Sequence, residues 1–560
     1  MRTLLLLLLI GLHLGAPIVK SEDLSFNRVR HFDAIHYKIG LRFDKKRNRV
    51  FGDSELTLRP LSKPLSYVEL DARDIDFNSI TDHDTGKQLE YEYNGRKLRI
   101  KLNETLRQFQ NITLRFVYSA RPRQGIYFIP PSVDGDKVLR SAQIWTQGEA
   151  EETHHWLPSY DFPDDKATTE QIIKVESEDD VIGNGKLLSN TLDEDGTRTF
   201  HYKMDVPHSI YLSSFVVGRF LKIEDRYRDI PLGYYIYPGG GEIAAKAFGK
   251  TKDMMRVFED LTGVKYPFNK YDQTVVAGFP FGGMENITAT TYADTEINMA
   301  GNGGAEIVQD LVSHELAHSW FGNLVTCRNW AELWTNESFA SFMEAAYRER
   351  TNGRKDYLRK IRADTSEYLA YNAATEVARH GLFNTSADPE DDLTMFDPVT
   401  YNKGSAVVHT LREEIGDTAF WKGINLHLTT YRFDNVETKD VRETFEKASG
   451  RSLGWFFDQW VYRSGHPKIS VRQRFDRRTG ILTLTFKQKA VNSQVGNVLY
   501  HLPLDIFVET SEKQYRQTLL LSKKSQQLAI KTRIRPQLVE IDRDLKIPVK
   551  DLSIAPLEIK

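Results

Sequence analysis

At 560 residues, 40% hydrophobic and 27% charged, the chain is too long for one hydrophobic core and has the composition of roughly two to four well-packed domains. Its 75 basic and 77 acidic residues leave a formal net charge of -2, so no global field recruits nucleic acid or an anionic membrane, and partners have to be sought at local sites. A lone cysteine, Cys327, excludes an internal disulfide framework and reads as a buried thiol.

The first 21 residues have the layout of a signal peptide. Arg2 is followed by an apolar run from Leu4 to Leu14, then Gly15 and Ala16, then Lys20 to Asp23. The run is about 11 residues against the roughly 20 of a membrane-spanning helix, which predicts export to a secreted or periplasmic location, with an uncleaved anchor as the alternative. No later segment is apolar enough to span a bilayer.

From residue 22 to 220 apolar and polar residues alternate in short runs, as in Tyr37, Ile39, Leu41 and Phe43, in Leu98, Ile100 and Leu102, and in Ile112, Leu114 and Phe116. Gly52-Asp53, Asn94-Gly95 and Asp134-Gly135 supply turn chemistry. This predicts an N-terminal β-sandwich or saddle. Residues 221–463 are mainly helical, with amphipathic stretches at Glu242 to Leu261, Ala305 to Asn323, Ala331 to Arg350 and Lys355 to Leu369. After Ser464-Gly465-His466-Pro467, alternation returns at Leu482, Leu484 and Phe486 and at Leu502 to Val508, predicting a small β-sandwich over 464–560. The fold class is therefore an α+β multidomain protein with a helical centre between two β domains.

The chemistry lies in that centre. His314-Glu315-Leu316-Ala317-His318 places two imidazoles one turn apart on a helical face, where both can reach one metal ion. Ile307 and Leu311 fall on the same stripe, which reads as a buried face. Two histidines and a carboxylate leave an open position on zinc, the arrangement of a catalytic site. Glu337 is the candidate carboxylate, eighteen residues separating it from His318, with small Ser338, Ala340 and Ser341 allowing two helices to approach. Acidic groups beside buried imidazoles are costly unless a cation neutralises them, and no Lys or Arg shares that stripe.

Five segments in order extend the pattern: Thr146-Gln147-Gly148-Glu149-Ala150, Gly282-Gly283-Met284-Glu285-Asn286, the His-Glu-x-x-His motif with its eighteen-residue gap, Leu333 to Ala340, and Tyr401-Asn402-Lys403-Gly404. Over residues 25 to 548 the chain resembles the gluzincin aminopeptidases, the family of aminopeptidase N and leukotriene hydrolase, with a thermolysin-like catalytic domain. The resemblance implies one zinc ion per chain held by His314, His318 and Glu337, with Glu315 as general base and Tyr401 as stabiliser of the oxyanion. It also implies that Glu149 and Glu285 grip the free α-ammonium of a peptide substrate. A strand at Gly282, Gly283 and Met284 would run beside that substrate. The expected reaction is hydrolysis of the N-terminal peptide bond. An endopeptidase, a lipid-epoxide hydrolase on the same site and a non-catalytic scaffold are the alternatives.

The sequence departs from the family at Ser338, where glycine is usual, and at His154-His155, near a common arginine. These positions read as outside the chemistry, and the histidine pair as interdomain or surface residues rather than a second metal site. Longer family members carry a helical domain over the active site; with the present sequence the expectation is a wider cleft, or one covered by a partner subunit in a homo-oligomer. The sequons at Asn103, Asn111 and Asn384 are glycosylation candidates, while those at Asn286 and Asn336 fall inside the motifs and are not.

Overall fold

The structure is a computed structural model that describes residues 26–374, 380–489, 491–493 and 496–560. The signal-peptide reading of residues 1–21 lies outside them. Among the described residues no helix is long and apolar enough to cross a membrane.

The N-terminal third is built on a seven-stranded sheet. Its order is Lys186–Leu192, Thr197–Ser209, Lys166–Glu176, Phe32–Asp44, Arg49–Pro60, Ile112–Ala120 and Ile75–Asp82. The alternation read from the sequence holds here: Tyr37, Ile39 and Leu41 are buried on one face of Phe32–Asp44, as are Leu114 and Phe116 on Ile112–Ala120. A four-stranded sheet, in the order Asp180–Gly183, Phe215–Gly218, Gln143–Thr146 and Ile126–Ile129, carries the chain towards Glu149. Gly52-Asp53 is not a turn. Both residues sit inside strand Arg49–Pro60, and Gly52 is paired with Tyr118, whose ring occupies the space a Cβ would need. The glycine answers to packing rather than to chain reversal, whereas Gly95 and Gly135 do turn the chain, at φ 86° and 56°.

The centre opens with a five-stranded sheet that the sequence reading did not foresee, in the order Leu221–Tyr227, Ile230–Ile236, Tyr271–Val276, Ala289–Ala293 and Gly283–Met284. Its inner strands Tyr271–Val276 and Ala289–Ala293 are buried throughout. A strand covered on both faces shows no alternation, so the signal is absent. Gly283–Met284 forms the edge and pairs only with Ala289–Ala293, through Gly283 to Tyr292 and Met284 to Thr291. The Glu242 to Leu261 stretch is two helices, Gly241–Phe248 and Thr251–Thr262, interrupted at Gly249 and Lys250. Helix Trp334–Asn352 is the centre of the bundle. It is buried without a break from Trp334 to Tyr347 and packs against helices Ala305–Ala317, Arg354–Ala374 and Gly404–Ile415.

At the C-terminal end, strands Lys468–Asp476 and Ile481–Lys489 join Ser525–Lys531 and Asp551–Ile554 in one sheet. Leu502–Glu509 lies between Gln514–Leu521 and Leu538–Ile541 in another. Leu482, Leu484 and Phe486 on the first and Leu502, Leu504, Ile506 and Val508 on the second are buried, giving the expected two-sheet arrangement.

Because the Tyr118 ring fills the space above Gly52 and its hydroxyl donates to Trp156 O at 2.8 Å, Gly52→Val is expected to destabilise the chain by about 1–3 kcal/mol. A lowered urea midpoint at unchanged m-value is the measurement.

Candidate active site

The site forms where the N-terminal sheets meet the helical centre. Helix Ala305–Ala317 ends at His318, and the chain doubles back through Gly322, at φ 121°. There Asn323 N–H donates to His318 O at 2.9 Å and Gly322 N–H to Val325 O at 2.8 Å. A side chain at Gly322 would begin 3.1 Å from His318 Nδ1 and 3.5 Å from Glu285 Oε1. The four-residue spacing brings the two imidazoles together, with Nε2 of His314 3.0 Å from Nε2 of His318. Glu337, in the first turn of Trp334–Asn352, places Oε2 3.2 Å from the first and 3.3 Å from the second.

The outer ring nitrogens fix the tautomers. Nδ1 of His314 lies 2.9 Å from Glu344 Oε1, and Nδ1 of His318 lies 2.8 Å from Phe321 O. Both partners only accept, so both Nδ1 atoms donate, and each neutral ring turns a bare Nε2 lone pair inward. Two nitrogen lone pairs and a carboxylate oxygen thus converge. Such a triangle requires a cation at its centre, whether protons or a metal ion. Protons alone would have to sit on the imidazoles: burial works against them, but the carboxylates of Glu337 and Glu344 raise His314 to about 9, and Glu285 and Glu337 raise His318 well above the ordinary imidazole value. Glu337, which burial alone would push up, is held down to about 2 by the two rings.

Three more carboxylates surround the triangle. Glu149, Glu285 and Glu315 are buried, and Glu149 Oε1, Glu285 Oε1 and Glu315 Oε2 have no hydrogen-bond partner among the described residues. Burial and mutual repulsion push Glu149 well above the ordinary range, burial raises Glu285, and burial raises Glu315 to about 8. Glu149 follows strand Gln143–Thr146, and its peptide bond to Ala150 is cis. Gln147 ties this segment to the edge strand, donating to Met284 Sδ at 3.3 Å. Gly283 has a second role besides exposing backbone: a Cβ there would overlap the Glu315 carboxylate.

Tyr401 lies in a single π-turn, Val399–Lys403, in which Lys403 N–H donates to Pro398 O five residues back, at 2.9 Å. Its ring stacks on His314 with centroids 5.9 Å apart. Burial, and then Glu337, push its hydroxyl well above the ordinary tyrosine value, so it stays protonated and able to donate. Gly282, Gly283, Met284, Glu149, Glu285, His314, Glu315, His318, Glu337 and Tyr401 all line one cleft of about 530 Å³. Every site residue named from the sequence is brought together there.

Several expectations need correction. Ile307 is 61% exposed and Leu311 half-buried, so the stripe they share with His314 and His318 is the wall of the cleft rather than a core face. Ser338 is not remote from the site. Its hydroxyl donates to Thr400 O at 2.7 Å, beside Tyr401, and it occupies space opened by Gly404, where a Cβ would overlap it. His154 and His155 stack on each other, with His154 against Asp161 at 2.8 Å, away from the cleft. The candidate metal groups among the described residues all lie in the cleft. Asn286 and Asn336 are fully buried, and Asn384 is largely buried with its amide donating to Thr394 O at 2.6 Å, which removes the Asn384 acceptor. Asn103 and Asn111 are exposed.

Glu344 and Lys360 complete the site without belonging to any of the sequence motifs. Glu344 stands two helical turns after Glu337 on the same face, a spacing visible in the sequence. Lys360, from the next helix, bonds Glu344 at 2.8 Å and Asp364 at 2.6 Å, a contact with no local signature.

A buried histidine pair four residues apart, a glutamate between the two and a second glutamate from the following helix define a gluzincin metallopeptidase site. Residues 33–212 match the peptidase M1 N-terminal domain and residues 246–460 the peptidase family M1 domain, and the chain belongs to that family. It is 28% identical over 73% of its length to probable aminopeptidase 2 of Sulfurisphaera tokodaii, and 30% identical over 62% to glutamyl aminopeptidase of Rattus norvegicus. Aminopeptidase N of Streptomyces lividans is 29% identical over 63%. The chain spans 52%, 37% and 42% of those proteins' own lengths. The crystal structure of Legionella pneumophila aminopeptidase A in complex with aspartic acid superposes with a TM-score of 0.77 at 19% identity, covering 95% of this chain and 60% of that one, and shows the shared fold.

Glu344→Ala removes the acceptor that orients His314. It is expected to weaken metal binding at the triangle by about 10–100-fold, read by competition with a chromogenic chelator.

Proposed function

We propose that the chain is a zinc aminopeptidase that hydrolyses the first peptide bond of substrates with a free α-ammonium. The observation that carries this reading is the pair of buried carboxylates, Glu149 and Glu285, each with an oxygen that makes no hydrogen bond, set beside the His314, His318 and Glu337 triangle. The donor set fits zinc. Ligand atoms about 2.0–2.1 Å from a tetrahedral zinc lie about 3.3 Å apart, and the three atoms here are separated by 3.0, 3.2 and 3.3 Å. When bound, the metal supplies Lewis acidity towards the scissile carbonyl and acidified water at neutral pH.

The remaining steps belong to the chain's own residues. Glu149 and Glu285 accept hydrogen bonds from the substrate ammonium, and a mid-chain peptide, lacking that charge, would leave both acids buried and unpaired. The edge strand Gly283–Met284 offers its free side to the substrate backbone, which sets the first residue against the two acids. Glu315 takes the proton of the attacking water and passes it to the departing amine as the C–N bond breaks. The Tyr401 hydroxyl donates to the oxygen on which negative charge develops. Of the three units proposed from the sequence, 22–220 contributes Glu149 and 221–463 the metal and catalytic groups, with 464–560 supporting them. Export to a secreted or periplasmic location rests on the sequence of residues 1–21 alone.

An aminoacyl chromogenic substrate is expected to be cleaved, and its N-acetylated form to be inert. Equal rates on the two would sink the aminopeptidase reading. Glu285→Ala is expected to lower kcat/KM about 10- to 150-fold, the equivalent of a charge-assisted hydrogen bond of about 1.5–3 kcal/mol. Glu315→Gln is expected to retain zinc, measured by elemental analysis, while turnover falls by several orders of magnitude. His318→Ala should lose the metal itself.

A further inference from the structure

The sheet of the C-terminal β region has one face in the core and one in solvent, and the solvent face is cationic. From Lys468 to Lys489 the two strands and their turn carry seven bases and one acid, Asp476. Side-chain alternation puts Lys468, Arg472 and Arg474 on the outer face of one strand and Lys487 and Lys489 on that of the next, all exposed, while Ile469, Val471, Leu484 and Phe486 point inward and are buried. The register sets Lys468 directly opposite Lys489 and Ser470 opposite Lys487. Like charges facing each other across a ladder destabilise a sheet.

Some surface lysines elsewhere have counter-charges, as in Lys174 with Asp195, Lys203 with Asp205 and Lys101 with Glu90, and others stand singly among the described residues, as Lys63, Lys137 and Lys186 do; the C-terminal sheet differs in gathering several on one face. Among the described residues Lys468, Lys487, Lys489 and Lys524 form no ion pair within 4.0 Å. They border a shallow groove of about 680 Å³, with the hydroxyls of Ser470, Ser525 and Ser553 between them and Asp551 as its one acid. The segment Ala490 to Tyr500 that follows contains no acidic residue, so neutralisation does not come from there.

We propose that this groove binds a sulfated polysaccharide. The ammonium groups supply charge without a fixed fork, which suits sulfates of irregular spacing, and the serines add hydroxyl donors to the same oxygens. The groove has no aromatic side chain on which a nucleobase could stack, which disfavours single-stranded nucleic acid. Its only apolar lining residue, Ile469, is buried, so it offers nothing to insert into a lipid surface. The site lies on the C-terminal sheet and shares no residue with the catalytic cleft, so occupancy would localise the enzyme on an anionic matrix with its chemistry intact.

The test is titration of the full chain with a heparin octasaccharide. The control ligands are the desulfated octasaccharide, a single-stranded oligonucleotide of equal charge and vesicles containing phosphatidylserine. Saturable binding to the sulfated ligand is expected, weakened at least tenfold by raising salt from 50 to 200 mM and at least tenfold in the triple variant Lys468→Ser, Lys487→Ser, Lys489→Ser. Hydrolysis of the aminoacyl substrate should be unchanged in that variant. Lys524→Glu, outside the strands, serves as a second variant should the triple substitution fail to fold, and is expected to weaken binding at least threefold. No binding, equal binding of the desulfated form, unchanged affinity in a folded variant, or tighter binding to the oligonucleotide or the vesicles would overturn the proposal.

Discussion

The structure depends on one electrostatic constraint: of the carboxylates that line one cleft, those of Glu149, Glu285, Glu315 and Glu337 are buried together beside two imidazole lone pairs. Left without cations, that group would repel itself and lose its hydration at once. The constraint has two parts with different solutions. The triangle of His314, His318 and Glu337 has the separations of a metal site, and Glu344 and Phe321 O fix its tautomers from outside. Glu149 and Glu285, by contrast, find no hydrogen-bond donor for one oxygen each, which leaves their neutralisation to a proton or to a cation that enters the cleft.

The surrounding fold maintains that arrangement against its own repulsion. Helix Trp334–Asn352 is buried over most of its length, so Glu337 and Glu344 are held on a rigid element two turns apart. Lys360 offsets part of the charge through Glu344, linking the outer nitrogen of His314 to a cation on a neighbouring helix. Glu149 arrives from a different sheet, and the contact of Gln147 with Met284 ties that sheet to the edge strand. Glu149 therefore joins the site only when the N-terminal β region and the helical centre are docked.

Much of this was legible in the sequence because it is local. The His314 to His318 spacing, the period-2 runs of Phe32–Asp44 and Leu502–Glu509, and the succession of β, helical and β segments are short-range patterns that the structure reproduces. What escaped was set by tertiary environment. Strands Tyr271–Val276 and Ala289–Ala293 are covered on both faces and so show no alternation. Gly52 looked like a turn residue because glycine serves both turns and close packing, and only the position of the Tyr118 ring tells the two apart. Periodicity assigns Ile307 to a buried face because it reports that a stripe is apolar but not whether a core or a cleft lies opposite. Lys360 reaches Glu344 from another helix, a pairing that no sequence interval marks.

Ser338 and Gly404 carry a consequence for how this chain can change. The serine hydroxyl fills the space where a Cβ at 404 would lie, so the two positions are not independent variables: alanine at 404 is sterically admissible only after 338 has been reduced to glycine. That replacement also deletes the hydrogen bond to Thr400 O. A viable order of substitution therefore passes, in either direction, through an intermediate with glycine at both positions, in which the turn bearing Tyr401 has lost an anchor.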